Sequence, residues 1–469
     1  MRPVILRLLG VIAVMVLVLA GPPAVRAVTI AVTTTADEVG VNGECSLREA
    51  VLAANTNVAV DTCPAGSSGE ADNIALPSGR YELSIPGAGE DAGATGDLDL
   101  LGSTIIRGDE LATNSPNATV IDGAGLDRVF DAHGASTRVA FHSLVISGGA
   151  TGDDGGGIRL ATDAPAGQSC MDGPRASLFR AVVRDNSAAR GGGVFIGGCV
   201  ILEVEVTSVV DNVAIGDGGG LASEALASVV IATSTLSHNA AGGAGGGLWI
   251  ANSVTGGLYW STVADNSAAT GGGISSEPSS GTGFTLISTI LAHNAGGSCD
   301  LAPGSVTVTY TLSTDGTCGS PGDGNLPSTD PLLLARDEDP VAYRLQPESP
   351  AIDAGDPRVP CTPLLETDQY GTVRPVDGDG DGVAVCDIGS YEAPEPDPTG
   401  SESPAGGGLP NTAVTVAQSA SDTTTSVTLT LGAAILLLVA GARYYRCLRR
   451  RPAGVGLARS RSVRRGGGT

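Results

Sequence analysis

The chain has 469 residues, only 3% of them aromatic, and a formal net charge of −24. All 50 acidic residues but only 14 of the 26 basic ones lie between residues 28 and 425, so that stretch carries −36. Such a charge argues against nucleic acid and anionic lipid as partners and suits divalent cations, a salty habitat or plain solubility.

The chain begins as secreted proteins do. Arg2 and Arg7 precede an apolar run over 8–20, and Val25, Arg26 and Ala27 offer a small-residue cleavage site. Residues 1–27 therefore read as a signal peptide. The alternative, a retained anchor, is disfavoured because the run is short for a membrane span. In the following segment, 28–75, Ser46-Leu47-Arg48-Glu49 has the form of a capping box, with serine as N-cap and glutamate three residues on. Leu47, Ala50, Val51 and Ala54 then fall on one helical face. A short amphipathic helix is predicted there, placed to cover the open end of the repeat region.

From 76 to 340 a phrase returns roughly every 27 residues. Val183-Arg184-Asp185-Asn186 is followed by Gly191 to Gly193, Val209-Val210-Asp211-Asn212 by Gly218 to Gly220, and Leu236-Ser237-His238-Asn239 by Gly245 to Gly247. Val263-Ala264-Asp265-Asn266 precedes Gly271 to Gly273, and Leu291-Ala292-His293-Asn294 opens a further copy. A unit this short cannot bury its own core, so copies must stack. After each triplet Ile158, Val194, Leu221, Leu248 and Ile274 alternate with polar or small neighbours at period two, which is a strand pattern. Short β-branched stretches between glycine-rich turns complete one coil of a parallel β-helix. Asn186, Asn212, Asn239, Asn266 and Asn294 then stack as a structural ladder, hydrogen-bonded along the axis. The alternative is that they are turn residues tolerating left-handed geometry.

Eight of the nine cysteines fall as near neighbours: Cys45 with Cys63, Cys170 with Cys199, Cys299 with Cys318, and Cys361 with Cys386. In an oxidising compartment local disulfides are the default, although spacing alone does not prove connectivity. Cys447 reads as an idle thiol.

Three sets of residues in the repeats carry possible chemistry. Two positions past each triplet stand Arg159, Phe195, Ala222, Trp249 and Ser275, expected to point outward. Phe195 and Trp249, with Tyr259 and Trp260 nearby, form a candidate glycan- or protein-binding strip, the alternative being isolated apolar surface residues. A second column, Asp185, Asp211, His238, Asp265 and His293, can bind metal or share a proton, against the simpler reading of solvated turn residues. For catalysis, paired carboxylates or an arginine beside an acid cluster are required. The one set on offer is Asp153, Asp154, Arg159, Arg184 and Asp185, which would have to converge on one face. No Ser-His-Asp order or metal-ligand spacing stands out elsewhere.

Residues 341–392 form a C-terminal cap region. Within it Asp377, Asp379 and Asp381 alternate with glycine, a pattern that wraps carboxylates around a hard cation, with Asp387 as a further donor. Structural Ca²⁺ is the expected cofactor, and a solvated acidic turn the alternative. Residues 393–425, rich in Pro, Gly, Ser and Thr, read as a spacer. An apolar run over 426–442 reads as a transmembrane helix, and the arginine-rich tail 443–469 would stay cytoplasmic.

Several of these segments resemble known families. Cys45-Ser46-Leu47-Arg48-Glu49-Ala50 resembles the CSLREA motif of bacterial secreted β-helix proteins. The repeats are similar to the right-handed parallel β-helix superfamily that includes pectate lyases. Ser349 to Asp356, Arg374-Pro375 and Cys386 to Glu392 resemble the choice-of-anchor Q domain. Leu409-Pro410-Asn411-Thr412-Ala413 resembles a sortase signal, departing from it in alanine at the last position. These resemblances imply a fold and a surface location and no established activity. The Gly-His-Gly and Arg-Ile-Lys motifs of polygalacturonases are absent.

The expectation is an all-β, right-handed parallel β-helix with a short N-terminal capping helix and one C-terminal membrane helix. It would be anchored at the cell surface, by a sortase or by the membrane span itself, and would serve display or adhesion by contacting glycan or another surface protein. The competing expectation is a polysaccharide lyase or glycoside hydrolase.

Overall fold

The computed structural model describes residues 27–396, apart from 110–117, 135–136, 163–169, 171–172, 278–282, 303–305, 320, 339–340, 360 and 362–365. The segment before Ala27, the spacer beyond Pro396, the sortase-like motif Leu409 to Ala413, the apolar run over 426–442 and the tail with Cys447 lie outside the described residues. Among the described residues no helix is long and apolar enough to cross a membrane.

The repeats form a parallel β-helix of three stacked sheets. Sheet 1 has ten strands, from Thr29–Ala31 to Val306–Thr309, sheet 2 ten, from Gly79–Glu82 to Leu326–Pro327, and sheet 3 eight, from Leu98–Leu100 to Cys299–Asp300. Each coil visits them in that order and returns, so every strand pairs in parallel with its counterparts in the coils before and after. Alternation decides which residues turn inward. Leu202 and Val204 from sheet 1, Val209 from sheet 2 and Leu221 from sheet 3 are fully buried, as are their equivalents in neighbouring coils, and together they make one continuous core.

Three tight corners in each coil require left-handed backbone. Arg180, Val206, Thr233, Trp260 and Ser288 hold φ between 42° and 50° where sheet 1 gives way to sheet 2. Asp185, Asp211, His238, Asp265 and His293 hold φ of 55° to 57° after sheet 2. The first glycine of each triplet, such as Gly191 at 60°, turns the third corner. The second position of the triplet needs glycine for space: a Cβ at Gly219 would stand 2.6 Å from the Ala240 and Gly246 carbonyl groups of the next coil.

Asp and His therefore occupy the left-handed position that they tolerate better than most residues, and the asparagine after each does something else. Asn186, Asn212, Asn239, Asn266 and Asn294 are buried. The Nδ2 of each of the first four donates to the Oδ1 of the next, at 2.9–3.1 Å. The same Oδ1 accepts the preceding asparagine's backbone N–H at 2.9–3.1 Å.

The helix α1 (Leu47–Thr56) closes the N-terminal end. Ser46 Oγ accepts the Glu49 N–H at 3.1 Å while Glu49 Oε2 accepts the Ser46 N–H at 3.0 Å, a complete capping box. Leu47, Ala50, Val51, Ala53 and Ala54 enter the main core. Arg48 is fully buried, paired with Asp37 at 2.6 Å and donating to the carbonyls of Gly93, Asp97 and Gly96 at 2.9–3.1 Å. One buried guanidinium thus ties the cap to the first complete coil. The four disulfides join Cys45–Cys63, Cys170–Cys199, Cys299–Cys318 and Cys361–Cys386, with Cα separations of 5.0, 4.8, 5.2 and 6.3 Å.

The C-terminal region differs from a simple end cap. The described residues of 331–393 run back along the outer face of sheet 2 as a strap. Gln369 Oε1 accepts Thr235 Oγ1 at 2.6 Å, its Nε2 donates to Ser208 Oγ at 2.8 Å, and Ser390 Oγ donates to Thr262 Oγ1 at 3.1 Å. Ala264, Ile290, Ala292 and Leu312 on the sheet pack against Tyr343, Leu345, Ile352 and Ile388 of the strap. Sheet 2 is consequently buried on both faces over these coils. The strap is held by a buried charge cluster: Arg374 lies 3.2 Å from Glu392 and donates to the Gly389 carbonyl at 3.0 Å. Burial and mutual repulsion push the Asp387 carboxyl up, and burial does the same to Glu392.

Replacing Arg48 with alanine leaves Asp37 buried without its partner, and is expected to cost about 3–5 kcal/mol. Asn239→Ala, which removes the acceptor of the buried Asn212 backbone N–H and the side-chain donor to the Val209 carbonyl, is expected to cost about 2–4 kcal/mol. Denaturant unfolding of each variant against the parent measures both.

Candidate functional site

The register of sheet 3 aligns one outward column across the whole helix. It reads Asp99, Asp131, Arg159, Phe195, Ala222, Trp249, Ser275 and Asp300. Its N-terminal part is charged and its middle is aromatic, so two different surfaces share one face.

In the aromatic part only Trp249 is available to a ligand. It is half-buried and lines a groove of about 300 Å³ with Arg190, Glu224, Ala225, Ala251 and Glu277. Phe195, expected to be open, is 4% exposed because the Arg190 guanidinium lies 4.8 Å over its ring. Arg190 is held there by Asp154 at 2.7 Å and Glu224 at 3.4 Å. Trp260, also expected at the surface, is 1% exposed: it turns a left-handed corner and packs with Ala232 and the strap's Cys361. Tyr259 is half-buried at the end of a sheet 1 strand, away from the groove, with burial raising its phenol pKa. Phe195 and Trp249 therefore share the sheet 3 column, Tyr259 and Trp260 lie together with ring centroids 6.4 Å apart, and one of the four remains as a platform. Arg190, Glu224 and Glu277 were missed in the sequence. A signal was present in the repeated Ser223-Glu224 and Ser276-Glu277 at the same strand end two coils apart.

The charged part of the column belongs to a second feature that sequence reasoning missed. Asp97, Asp99 and Asp131 are buried with their carboxylate oxygens within 4.8 Å of one another. Arg128 pairs with Asp97 at 3.1 Å and Asp131 at 3.4 Å, and Arg159 with Asp131 at 2.8 Å. Burial, and then the charge of Asp99, push the Asp97 carboxyl up to about 7. Arg159 follows the triplet Gly155 to Gly157, but Asp97, Asp99, Arg128 and Asp131 come from irregular early coils without one, so no periodic pattern marks the cluster.

The alternative catalytic set does not converge. Arg159 lies on sheet 3 and pairs with Asp131, Asp154 pairs with Arg190, and Asp153 is exposed in a turn. Arg184 and Asp185 lie 3.8 Å apart at the end of a sheet 2 strand. Consecutive corners of the coil separate the two groups, because the intervening residues turn the chain from one sheet to another.

In the Asp and His column Asp185, His238 and His293 are exposed, and the strap reaches Asp211 and Asp265. Arg336 pairs with Asp211 at 3.0 Å and approaches His238 Nδ1 at 3.4 Å. Tyr343 Oη donates to Asp265 Oδ2 at 2.6 Å and sits 3.3 Å from His238 Nδ1. Burial, reinforced by the Asp265 charge, raises the Tyr343 pKa, so the phenol stays a donor. Arg336, Tyr343, His238 and Asp265 border a cavity of about 380 Å³ with Leu333, Leu334 and His293. Its polar groups are mutually paired, which makes it a joint between strap and coil.

The acidic loop has a different donor set from the one expected. Asp353, Asp377 and Asp379 bring carboxylate oxygens within 4.8 Å of one another. Asp387 is fully buried elsewhere, accepting the Asp353 and Ala393 N–H groups at 2.8 and 2.6 Å. Asp381 is exposed and caps its own turn through the Val383 N–H at 2.8 Å. An all-oxygen donor set of this kind fits a hard cation such as Ca²⁺.

No protein-family model matches the chain, and no curated protein matches it. A crystal structure of pectate lyase Pel9A is similar in outline: the TM-score is 0.41 at 10% identity, over 79% of this chain and 98% of that one. At that distance the likeness says nothing about activity.

Asp97 keeps its proton to a higher pH in the folded chain than in the unfolded one. Its contribution to stability is fully present below about pH 4 and is lost as the pH rises through about 7. Asp97→Asn, which imitates the protonated form, is expected to raise the melting temperature at pH 8 and to leave it nearly unchanged at pH 4. Thermal unfolding at the two pH values tests this.

Proposed function

We propose that this chain is a secreted, surface-anchored, right-handed parallel β-helix of the CSLREA and choice-of-anchor Q type, and that it serves display and adhesion by binding glycan. The observation that carries the reading is the groove at Trp249. A half-buried indole face offers dispersion and CH–π contact to a pyranose ring. Arg190, Glu224 and Glu277 stand around it as hydrogen-bond donors and acceptors for hydroxyls. The rigid, disulfide-supported coil holds these groups in place, so binding orders few side chains.

Surface location is supported by the signal-like start, by four disulfides that suit an oxidising compartment, and by the spacer, sortase-like motif and apolar run that come after the strap in order. Every residue of the CSLREA motif is used in the fold, with Cys45 in a disulfide, Ser46 and Glu49 in the capping box, Leu47 and Ala50 in the core, and Arg48 in the buried tie. The charge of −36 over 28–425 favours a neutral glycan and leaves no role for nucleic acid. Ca²⁺ bound by Asp353, Asp377 and Asp379 would brace the strap.

Glycan-array binding by the full-length chain tests the reading. Trp249→Ala is expected to remove about 1–3 kcal/mol of binding free energy, in the range of an aromatic hot spot. Binding unchanged by that substitution would place the ligand elsewhere. Chelation of Ca²⁺ is expected to lower the melting temperature of the parent and to leave an Asp377→Asn variant less affected. Equal unfolding with and without chelator removes the calcium assignment.

A further inference from the structure

We infer that Asp91, Asp99 and His133 bind one divalent transition-metal ion at the N-terminal edge of sheet 3. The site is separate from the acidic loop of the strap and does not depend on the glycan-binding reading. Asp99 and Asp131 are register partners on the outer face of adjacent coils. His133 comes two residues after Asp131, and its N–H donates to the Leu100 carbonyl at 3.3 Å. The ladder thus continues past the strand end, and period two sets the imidazole on the same face as Asp99, diagonally across from it. The third residue comes from the loop between the strands Gly79–Glu82 and Leu98–Leu100. The Gly93 N–H donates to Asp99 Oδ2 at 2.6 Å, which holds that loop against the strand with Asp91 alongside. Each of the three side chains brings one donor atom within 4.8 Å of the other two.

The observation that points to an ion is the other oxygen of Asp99. The residue is 1% exposed, and its Oδ1 makes no hydrogen bond among the described residues. That oxygen lies 3.7 Å from His133 Nε2. The gap is beyond a hydrogen bond. It is close to the roughly 3.4 Å between two donors that share one ion at bond lengths of about 2.0–2.1 Å. A buried carboxylate persists where donors or a cation compensate it, and the neighbouring arginines serve other acids. Arg128 pairs with Asp97 and Asp131, and Arg159 with Asp131. Among the described residues no arginine pairs with Asp99 or Asp91.

The donor set decides the class of ion. Two carboxylate oxygens and an imidazole nitrogen suit Zn²⁺, Mn²⁺ or Fe²⁺, whereas Ca²⁺ takes oxygen ligands. Asp91 is exposed, so the ion reaches the site from solvent and keeps a coordination position for water. The hydrogen bond from Gly93 orients the Asp99 carboxylate, the part that an outer partner plays for a metal ligand. The ion fastens the loop of Asp91 to the coil of His133, and because the unfolded chain does not assemble these donors, binding stabilises the fold.

The full-length chain, without a polyhistidine tag, is stripped with chelator and titrated with Zn²⁺, Mn²⁺ and Ca²⁺ by calorimetry. Thermal unfolding and proton NMR are recorded with and without Zn²⁺. The expected result is a Zn²⁺ site, a higher melting temperature, and a shift of one of the chain's four imidazoles, whose resonance is missing from His133→Ala. His133→Ala and Asp91→Ala should each weaken Zn²⁺ by more than about tenfold, with the circular dichroism of the parent retained. Asp377→Asn should leave Zn²⁺ binding unchanged. No Zn²⁺ binding by the stripped parent overturns the site, and so does binding that survives the two alanine substitutions together. Ca²⁺ held as tightly as Zn²⁺ and weakened equally by Asp91→Ala overturns the choice of a transition metal.

Discussion

The buried asparagine ladder is the interaction on which the other features depend. A carboxamide has two donors and an acceptor that takes two hydrogen bonds, and each interior rung uses them along the axis and to a neighbouring backbone carbonyl. A buried amide that slipped by one residue would lose several bonds at once, and the cost of leaving such groups unpaired exceeds their net worth when paired. The ladder therefore fixes the register between coils. Every outward column, including the one that contains Trp249 and the one that contains Asp211, His238 and Asp265, is aligned because the rungs are.

Register alone leaves both ends and one side of a solenoid unprotected, and the chain answers with buried charge. At the N-terminus Arg48 crosses from α1 to three carbonyls and an aspartate. Along sheet 2 Arg374 and its acidic neighbours fix the strap, whose Gln369 and Ser390 then satisfy the hydroxyls of Ser208, Thr235 and Thr262. Such pairs contribute little net stability against an apolar alternative but are costly to break. Their directionality sets one docking position for elements that a uniform apolar face would let slide.

The strap also determines which surface is left for function. It covers sheet 2 and reaches the adjacent corner, where Tyr343 and Arg336 engage Asp265 and Asp211, and leaves the outer face of sheet 3 uncovered at the Trp249 groove. Arg190 divides that face further, since one guanidinium closes Phe195 and faces Glu224. Aromatic platform and carboxylates are confined in this way to a short stretch of three coils.

Within a coil the sequence by itself determined nearly everything. Period-two alternation separates inward Leu221 and Val209 from their outward neighbours, glycine triplets mark a corner, asparagine recurs at the ladder, and Ser46 with Glu49 announces α1. These are local rules, decided by residues a few positions apart or one repeat apart, and they are legible for that reason. The tertiary structure alone decided which distant segments of the chain meet. Trp260 disappears beneath Cys361, Gln369 reaches Thr235, and Tyr343 reaches Asp265. Asp353 takes the place in the acidic loop that Asp387, drawn into the buried cluster, does not fill. A strap lying across a sheet meets side chains from several coils at once, and no periodicity along the chain encodes which ones.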